Sequence, residues 1–372
     1  MGFLNIFIVA LMPVLKVILM TGIGLFIALD RIKLLGPEAN HHLNNIVFYV
    51  LSPAIAASSL AETITFQSFI TLWFMPLNIL LTFVFGSILA WLLIKITKTP
   101  KHLRGIVIGC CSAGNLGNLP LIMVPAVCEE ANNPFGDPSV CSLLARPYAS
   151  LSLAMGGILI WSYVFGMMRL YTNEGTENDT PSETVAMSAW KKIMQQMKTI
   201  SKKIDLKKVF APTAVAAIVG FIIGIVSPIR KLMIGNKAPL RVIDSTAYMF
   251  GEAAIPCMTL IMGANLLRGL KGSEVSRSVI IGIIAVRSIL LPALGIGVVM
   301  AARNWGLIGS ENKLYQFVLM LQFAVPPAMA VGTMTQFFQL GQCETSVIML
   351  WTYVVAAFSL TLWSTFFMWI LA

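Results

Sequence analysis

The sequence predicts an all-α integral membrane protein with ten transmembrane helices. Hydrophobic residues make up 57% of the 372 residues and charged residues only 11%. A soluble chain of this length could not bury so much apolar surface. The apolar residues also fall into runs of about 20 residues, which is the length that crosses the hydrocarbon core. Finally, one run in each half of the chain is interrupted by a polar segment that contains proline, as in transporters with broken helices.

The ten apolar runs divide evenly between two halves of the chain. Pro53 recurs as Pro256 and Pro120 recurs as Pro326, at similar separations. An odd number of spans in each half would place the two halves in opposite orientations, which is the inverted-repeat design. We therefore expect a five-helix repeat at 1–170, a loop at 171–208 and a second five-helix repeat at 209–372, with helices 4 and 9 broken. The runs are 5–29, 43–61, 69–94, 105–127, 147–170, 209–227, 243–266, 275–300, 314–338 and 345–371.

Lysine and arginine are distributed unevenly among the predicted loops. Loops after odd-numbered spans hold 17 of these residues and loops after even-numbered spans hold 7. The positive-inside rule then places the odd-numbered loops in the cytosol and both chain termini on the non-cytosolic, lumenal side. Within the central loop, apolar residues from Trp190 to Ile204 recur at helical spacing between lysines. This pattern predicts a basic amphipathic helix on the cytosolic leaflet, either a simple surface helix or a lipid-sensing element.

The composition argues against an enzyme or a nucleic-acid-binding protein. The three histidines lack a metal-binding HExxH spacing, the six cysteines form no metal pattern, and no phosphate-binding P-loop is present. We expect no cofactor and no metal. The net charge of +10 lies in the loops, and nothing resembles a DNA-reading helix or an RNA-binding sheet.

The two interrupted runs predict a binding site for a small anion. Proline removes a backbone donor and clashes with the preceding turn, so each run should divide into two half-helices. Half-helix amino termini offer free amides and a positive dipole end near the membrane midplane, which favours a carboxylate. Two proline-kinked helices with no ligand are the alternative. The candidate substrate-binding residues are Ser52, Asn115, Asn118, Pro120, Arg287, Gln322, Val325, Pro326 and Pro327.

Two further features carry predictions with open alternatives. Arg287 lies near the middle of the eighth run, where a charge needs a partner. It could bind an anionic ligand, or it could pair structurally with Glu252 or with carbonyls of a broken helix. Cys128 and Cys141 flank one loop on the predicted lumenal side, where an oxidising compartment permits a disulfide. Two free thiols at helix ends are the alternative.

Several short motifs, in order along nearly the whole chain, resemble the auxin efflux carrier superfamily. The chain resembles the PIN-LIKES branch of this plant superfamily more closely than the PIN-FORMED branch, mainly through the stretch at 128–137. The other motifs are Asn44 nine residues before Pro53, Asn118 seven residues before Pro125, Ala285-Val286-Arg287 followed by Pro292-Ala293, and Gln322 four residues before Pro326.

The resemblance implies a fold, a substrate and a location. It implies an NhaA-like architecture in which the broken helices 4 and 9 cross around an auxin of the indole-3-acetic acid type. It also implies a carrier in the endoplasmic reticulum membrane that controls intracellular auxin accumulation by alternating access. One departure is that the third span has no carboxylate–lysine pair, so any polar support there would come from a residue such as Asn78.

Alternative functions and partners stay open at this point. An ion-coupled antiporter or an organic-anion symporter could share the fold, and a non-transporting membrane scaffold or sensor is a different class. The expected partners are the carboxylate substrate and membrane lipids, and a homodimer is compatible with the sequence. No nucleic acid partner is expected.

Overall fold

A computed structural model describes residues 3–65, 70–130, 133–174, 212–235, 237–269, 275–338 and 341–371. These residues fold into α-helices joined by short connections. The backbone pairing of β type within these ranges is one isolated antiparallel bridge between Gly114 and Pro327. The predicted amphipathic helix and most of the expected central loop fall at 175–211, outside the described residues.

Sixteen helices are numbered here in chain order within the described ranges. Three of the connections are single turns of π-helix, at Val47–Leu51, Ile160–Val164 and Val286–Leu290. The helices are α1 (Phe3–Ala28), α2 (Pro37–Ile46), α3 (Ser52–Thr63), α4 (Phe74–Thr97), α5 (Lys101–Ser112), α6 (Asn118–Glu129), α7 (Pro138–Leu159), α8 (Phe165–Glu174), α9 (Pro212–Ile225), α10 (Ser227–Met233), α11 (Arg241–Gly269), α12 (Arg277–Ala285), α13 (Leu291–Asn304), α14 (Lys313–Ala324), α15 (Ala330–Phe338) and α16 (Gln342–Leu371).

Seven stretches of the described chain are long and apolar enough to cross a membrane, so this is a multi-pass membrane protein. The predicted sixth run, 209–227, ends close to its expected limit: its helix stops at Ile225, and the chain bends by 101° into α10. The predicted fourth and ninth runs are each divided into two shorter helices. The seven stretches are Phe7–Ala28, Pro37–Glu62, Phe74–Thr97, Pro138–Tyr171, Arg241–Leu267, Arg277–Asn304 and Gln342–Leu371.

Glycines bring two pairs of helices into close backbone contact. Helix α1 packs on α11, and α9 packs on α3. A Cβ atom added to Gly24 would overlap the backbone of Leu260, and one added to Gly220 would overlap the backbone of Ala57. Small residues at such positions allow van der Waals packing, which drives helix association where water is absent.

Helix α14 lies at the centre of the packed core. Its residues from Leu314 to Ala324 are all buried, and it packs against α4, α7, α13 and α16. The loop between α6 and α7 closes over this region through Phe135, whose ring centroid lies 5.2 Å from that of Phe317. A disulfide joins Cys128 to Cys141, with their Cα atoms 5.3 Å apart, and ties the end of α6 to the start of α7. Together these contacts fix both broken helices within one packed core.

Candidate functional site

The two helix breaks lie against each other and exchange backbone hydrogen bonds. Helices α5 and α6 are separated by 113–117, and helices α14 and α15 by 325–329. The amide of Asn115 donates to the carbonyl of Pro326 at 2.8 Å, and the amide of Ala328 donates to the carbonyl of Ala113 at 2.8 Å. In a bilayer the groups released by a helix break must be satisfied by protein or must line a cavity. Each break therefore satisfies part of the other, and we call this region (113–117 with 325–329) the crossover.

The prolines of the two breaks occupy different positions. Pro120 is the third residue of α6, where a helix amide has no partner within the helix, so proline is tolerated there. Pro326 and Pro327 lie between α14 and α15, where proline prevents the helix from continuing. The second break therefore contains the prolines that cause it, whereas the proline of the first break, Pro120, lies after the break in the first turn of α6.

The guanidinium of Arg287 binds the backbone carbonyls of both broken helices. It donates to Val325 at 2.6 Å, to Pro326 at 3.1 Å and to Cys111 at 3.2 Å. The side chain is 2% exposed. Glu252, one partner considered from the sequence, is an exposed residue on α11 and makes no ion pair with Arg287 in the described structure. The carbonyls are therefore the partners that stabilise this buried charge.

A tyrosine on the last helix links two residues of the crossover. The side-chain amide of Asn115 donates to the hydroxyl of Tyr353 at 3.0 Å. The same hydroxyl donates to the carbonyl of Pro327 at 2.9 Å. Nothing in the sequence around Tyr353 indicated this role, because a lone tyrosine in an apolar span is usually a packing residue.

A buried chain of polar side chains supports the crossover from the other side. Asn78 on α4 donates to the side-chain carbonyl of Gln322 at 2.8 Å and to the backbone carbonyl of Leu319 at 3.0 Å. Gln322 in turn donates to the hydroxyl of Ser152 at 3.1 Å, and Ser152 donates to the carbonyl of Leu116 at 2.8 Å. All three side chains are fully buried. The chain connects α4, α14 and α7 to the first break.

A cavity of about 160 Å³, which we call the polar cavity, lies beside the crossover, and the N-cap of α6 and the first residue of α15 line it. Gly117 is the N-cap of α6, and no described side chain caps that helix end. The N-cap residue itself lines the cavity, and an uncapped helix start can donate backbone hydrogen bonds to an anion. Met329 and Ala330 bring the start of α15 to the same wall.

The other walls of this cavity are uncharged and rich in aromatic and sulfur-containing side chains. Among the described lining residues, none carries a charge at neutral pH. The aromatic and sulfur-containing side chains are Phe48, Trp161, Met258 and Met329, and the aliphatic ones are Val47, Ile55, Leu116, Leu153, Ile160 and Ile261. The polar side chains are Asn44, Ser52, Asn115, Thr213, Asn265 and Thr333. Such walls suit a ligand with an apolar ring and one polar group.

A second cavity of about 370 Å³, which we call the apolar cavity, also borders the crossover. Helices α1, α6, α11 and α16 line it almost entirely with apolar side chains. Pro326 and Tyr353 form part of its wall, so the two cavities flank the same backbone. Its lining includes Thr21, whose buried hydroxyl has no hydrogen-bond partner in the described structure.

Comparison with known proteins identifies the family. The sequence profile of a family described as "Membrane transport protein" matches residues 9–364. Protein PIN-LIKES 1 of Arabidopsis thaliana is 50% identical over 100% of this chain and 81% of its own length. This chain belongs to the PIN-LIKES family. Protein PIN-LIKES 3 of the same plant is 47% identical over 99% of both chains, and Protein PIN-LIKES 4 is 44% identical over the full length of both.

The structure separates the predicted site residues of this PIN-LIKES protein into two groups. Ser52 and Asn115 line the polar cavity. Arg287, Gln322 and Val325 are buried behind it, where they hold the backbone of the crossover. Pro120, Pro326 and Pro327 shape the two breaks, and Pro326 also faces the apolar cavity. The side chain of Asn118 is outside the described structure, although its backbone begins α6.

The three π turns of this PIN-LIKES protein all lie next to the crossover. Val47 and Ile160 belong to two of them and line the polar cavity, and Arg287 belongs to the third. A π turn inserts one extra residue into a helix and rotates the side chains that follow, and such turns are frequent at functional sites. Sequence reasoning missed all three, because the hydrophobic pattern continues through them.

Proposed function

We propose that this PIN-LIKES protein carries auxin of the indole-3-acetic acid type across the endoplasmic reticulum membrane and so controls its accumulation inside the cell. One observation carries the proposal: two half-helix amino termini meet at one uncharged cavity that has aromatic and methionine walls. The termini suit a carboxylate, and the walls suit an aromatic ring. The membrane transport family of the chain is in keeping with a carrier.

In this proposal the carboxylate lies at the crossover and the ring points away from it. Asn115 already uses one amide hydrogen on Tyr353, and its side chain also faces the cavity. Asn118 begins α6, so we place it as a second neutral donor to the carboxylate. Ser52 lies on the opposite wall. Phe48 and Trp161, whose ring centroids are 5.1 Å apart, would contact the ring.

We also propose that the ten spans form two inverted five-helix repeats, at 1–170 and 209–372. In support, the packing of α1 on α11 has a counterpart in the packing of α9 on α3, as exchange of the two halves requires. Under alternating access, the crossover and its supporting helices would move against these four helices.

The cavity is proposed to face the cytosol in this conformation. It reaches Thr213 in the first turn of α9 and Asn44 in α2. The segments that precede these helices are rich in basic residues, with Arg31 and Lys33 before α2 and seven lysines at 191–208. The positive-inside rule would put these segments in the cytosol and both termini in the lumen. Residence in the endoplasmic reticulum rests on the family resemblance and on the compact central loop.

Uptake of radiolabelled indole-3-acetate by purified protein in liposomes tests the function. We expect saturable uptake above that of empty liposomes. Asn115→Ala should weaken apparent affinity about ten- to a hundredfold, because a hydrogen bond to a charged group contributes about 1.5–3 kcal/mol. Asn118→Ala should have a similar effect.

The matched control is Asn304→Ala, which removes an exposed asparagine at the end of α13. It should leave uptake unchanged. If neither indole-3-acetate nor any related aromatic acid is taken up by folded protein, the carrier proposal is wrong and the scaffold or sensor alternative gains support. Uptake that depends steeply on a proton or sodium gradient would favour the ion-coupled alternatives.

A further inference from the structure

We propose that the guanidinium of Arg287 is a built-in cation, in the place where a coupling metal ion would otherwise bind, and that transport therefore needs no sodium or potassium ion. The inference rests on the proposed carrier function, because it says how that carrier balances charge. It starts from the chemistry of the carbonyl oxygens at the crossover.

The oxygens that Arg287 binds are of the kind that transporters use to bind sodium. Unwound backbone carbonyls and the carboxyl ends of half-helices coordinate alkali cations in broken-helix transporters. Here the carbonyl of Cys111 comes from the last turn of α5, and the carbonyls of Val325 and Pro326 directly follow α14. Both carboxyl ends carry the negative end of a helix dipole. One side chain has its donors within 3.2 Å of all three oxygens.

The charge of Arg287 has no carboxylate to neutralise it in the described structure. The ion pairs in the described residues join Lys16 to Glu129 and His42 to Glu38. The Nε atom of Arg287 is buried without a hydrogen-bond partner. The two cysteines next to it, Cys110 and Cys111, are buried thiols. A fixed positive charge at the midplane is costly unless it has a function or dipolar partners. The carbonyl dipoles offset part of that cost, and an anionic substrate would offset more.

The guanidinium lies directly behind the wall of the polar cavity. Gly114 lines that cavity, and a Cβ atom built on Gly114 would come within 2.5 Å of Nη2 of Arg287. Only the backbone of one glycine therefore separates the charge from the space that a carboxylate would occupy. A buried charge attracts an anion strongly across such a thin wall, because screening by water is weak there.

The consequence is a carrier whose charge balance is internal. A carboxylate bound beside Arg287 would need no accompanying metal ion, since the neutralising charge belongs to the protein. The cation stays with the chain throughout the cycle, and the anion alone is exchanged. Transport would then follow the electrochemical gradient of the anion.

The first test uses the parent protein in liposomes. Initial uptake of indole-3-acetate is measured in sodium, potassium and choline media of equal ionic strength, with and without a gradient of each cation. We expect the rates in the three media to agree within twofold. A rise of fivefold or more that is specific to sodium or potassium would overturn the proposal.

The second test separates the charge of Arg287 from its hydrogen bonds. Arg287→Gln keeps N–H donors for the carbonyls but removes the charge, and Arg287→Lys keeps the charge with fewer donors. We expect uptake to fall at least tenfold in Arg287→Gln and to be stimulated by millimolar guanidinium chloride. Arg287→Lys should retain more uptake than Arg287→Gln and should show no such stimulation. Parent-like uptake by Arg287→Gln would contradict the proposal.

A stability measurement decides the inference without any transport. The thermal midpoint of purified Arg287→Ala is followed in 1–20 mM guanidinium chloride and in tetramethylammonium chloride at the same ionic strength. We expect stabilisation by guanidinium alone, and none in the parent protein, whose site is filled. If Arg287→Ala does not fold, the same titration on Arg287→Gln replaces it. No guanidinium-specific shift would refute the built-in cation, whereas failure of the parent to transport any aromatic acid would refute only the carrier.

Discussion

Buried polar side chains around the crossover are held by backbone carbonyls and by one another. Arg287 binds three carbonyls, and Asn78, Gln322 and Ser152 form a hydrogen-bonded chain that ends on Leu116. In hydrocarbon an unsatisfied polar group has no water to bind, so each of these hydrogen bonds avoids the free-energy cost of an unpaired buried group. The polar residues of the core are therefore divided between residues that face the cavity and residues that hold its walls.

We expect Asn78→Ala to destabilise the protein while leaving the substrate site chemically intact. The change removes the donor to Gln322 and leaves a fully buried carbonyl without a partner. Such a loss costs about 1–3 kcal/mol. Thermal unfolding in detergent of Asn78→Ala, Gln322→Ala and the double variant gives the coupling energy between the two side chains. Simple additivity of the two single effects would mean that the hydrogen bond contributes nothing.

Residue types alone predicted part of this arrangement. Asn115 and Pro326 were predicted because amides and prolines are unusual in an apolar span, and both lie in the crossover. For Arg287 the sequence left three possible partners, an anionic ligand, Glu252 or the carbonyls of a broken helix, because it does not show which carbonyls a helix break releases. Tyr353 and Asn265 gave no signal in the sequence, since a single tyrosine or asparagine within a long helix is not distinctive.

Broken helices are the elements that distinguish this molecule from a simple bundle. The polar interruptions predicted both breaks, and Pro326 and Pro327 lie within the second. The π turns could not be predicted, because one inserted residue leaves the hydrophobic pattern nearly unchanged. Val47, Ile160 and Arg287 reach the crossover from those turns. Element boundaries next to the site were thus less predictable than the elements themselves.

Pro326→Ala should abolish transport more completely than it reduces binding. Alanine releases the fixed φ angle at position 326, so the carbonyl of this residue can turn away from Asn115 and Arg287, while Pro327 still ends α14. Uptake and equilibrium binding of the labelled acid are measured on the same preparation. Pro147→Ala, within α7, is the control and should keep uptake. Parent-like uptake by Pro326→Ala would mean that the break does not depend on this proline.

The pairing of α1 with α11 can be tested by replacing two glycines of α1, Gly22 and Gly24, one at a time. A methyl group on Gly24 would overlap the backbone of Leu260, whereas one on Gly22 meets nothing within 4 Å. Gly24→Ala should therefore lower the free energy of unfolding by about 1–3 kcal/mol, as overpacking does. Gly22→Ala should be close to neutral. Equal thermal midpoints for the two variants would show that the helices are not in backbone contact here.

At the scale of the whole molecule, hydropathy and length predicted a multi-pass helical membrane protein, and the structure and family confirm that much. The prediction worked because the bilayer imposes one length on every spanning helix. The sixth run ends at a bend of 101° beside Val226, next to its predicted limit of 227, although its sequence did not predict the angle. The number of spans and the repeats remain proposals, because broken helices are too short to be counted by length.

Orientation in the membrane follows from the charge bias and is open to direct measurement. A glycosylation acceptor inserted near Asp137 should be modified in cells, because that loop is predicted to be lumenal. The natural sequon at Asn178 should remain unmodified. Alkylation of non-reduced protein adds an independent check, since Cys128 and Cys141 should be protected by their disulfide. A glycan on Asn178 would reverse the proposed orientation.

The bridge between Gly114 and Pro327 has a consequence for the synthesis and membrane insertion of the protein. The two residues are separated by roughly 200 positions, so at about 5–20 residues per second the first break waits some ten to forty seconds for its partner. During that interval the carbonyls and amides of the first break need other hydrogen-bond partners, which the insertion machinery, lipid headgroups or water can provide. The N-terminal half should therefore be held in an immature state until translation is almost complete. Quality control of this chain would therefore act only after Pro327 has been synthesised, even when a damaging change lies in the N-terminal half.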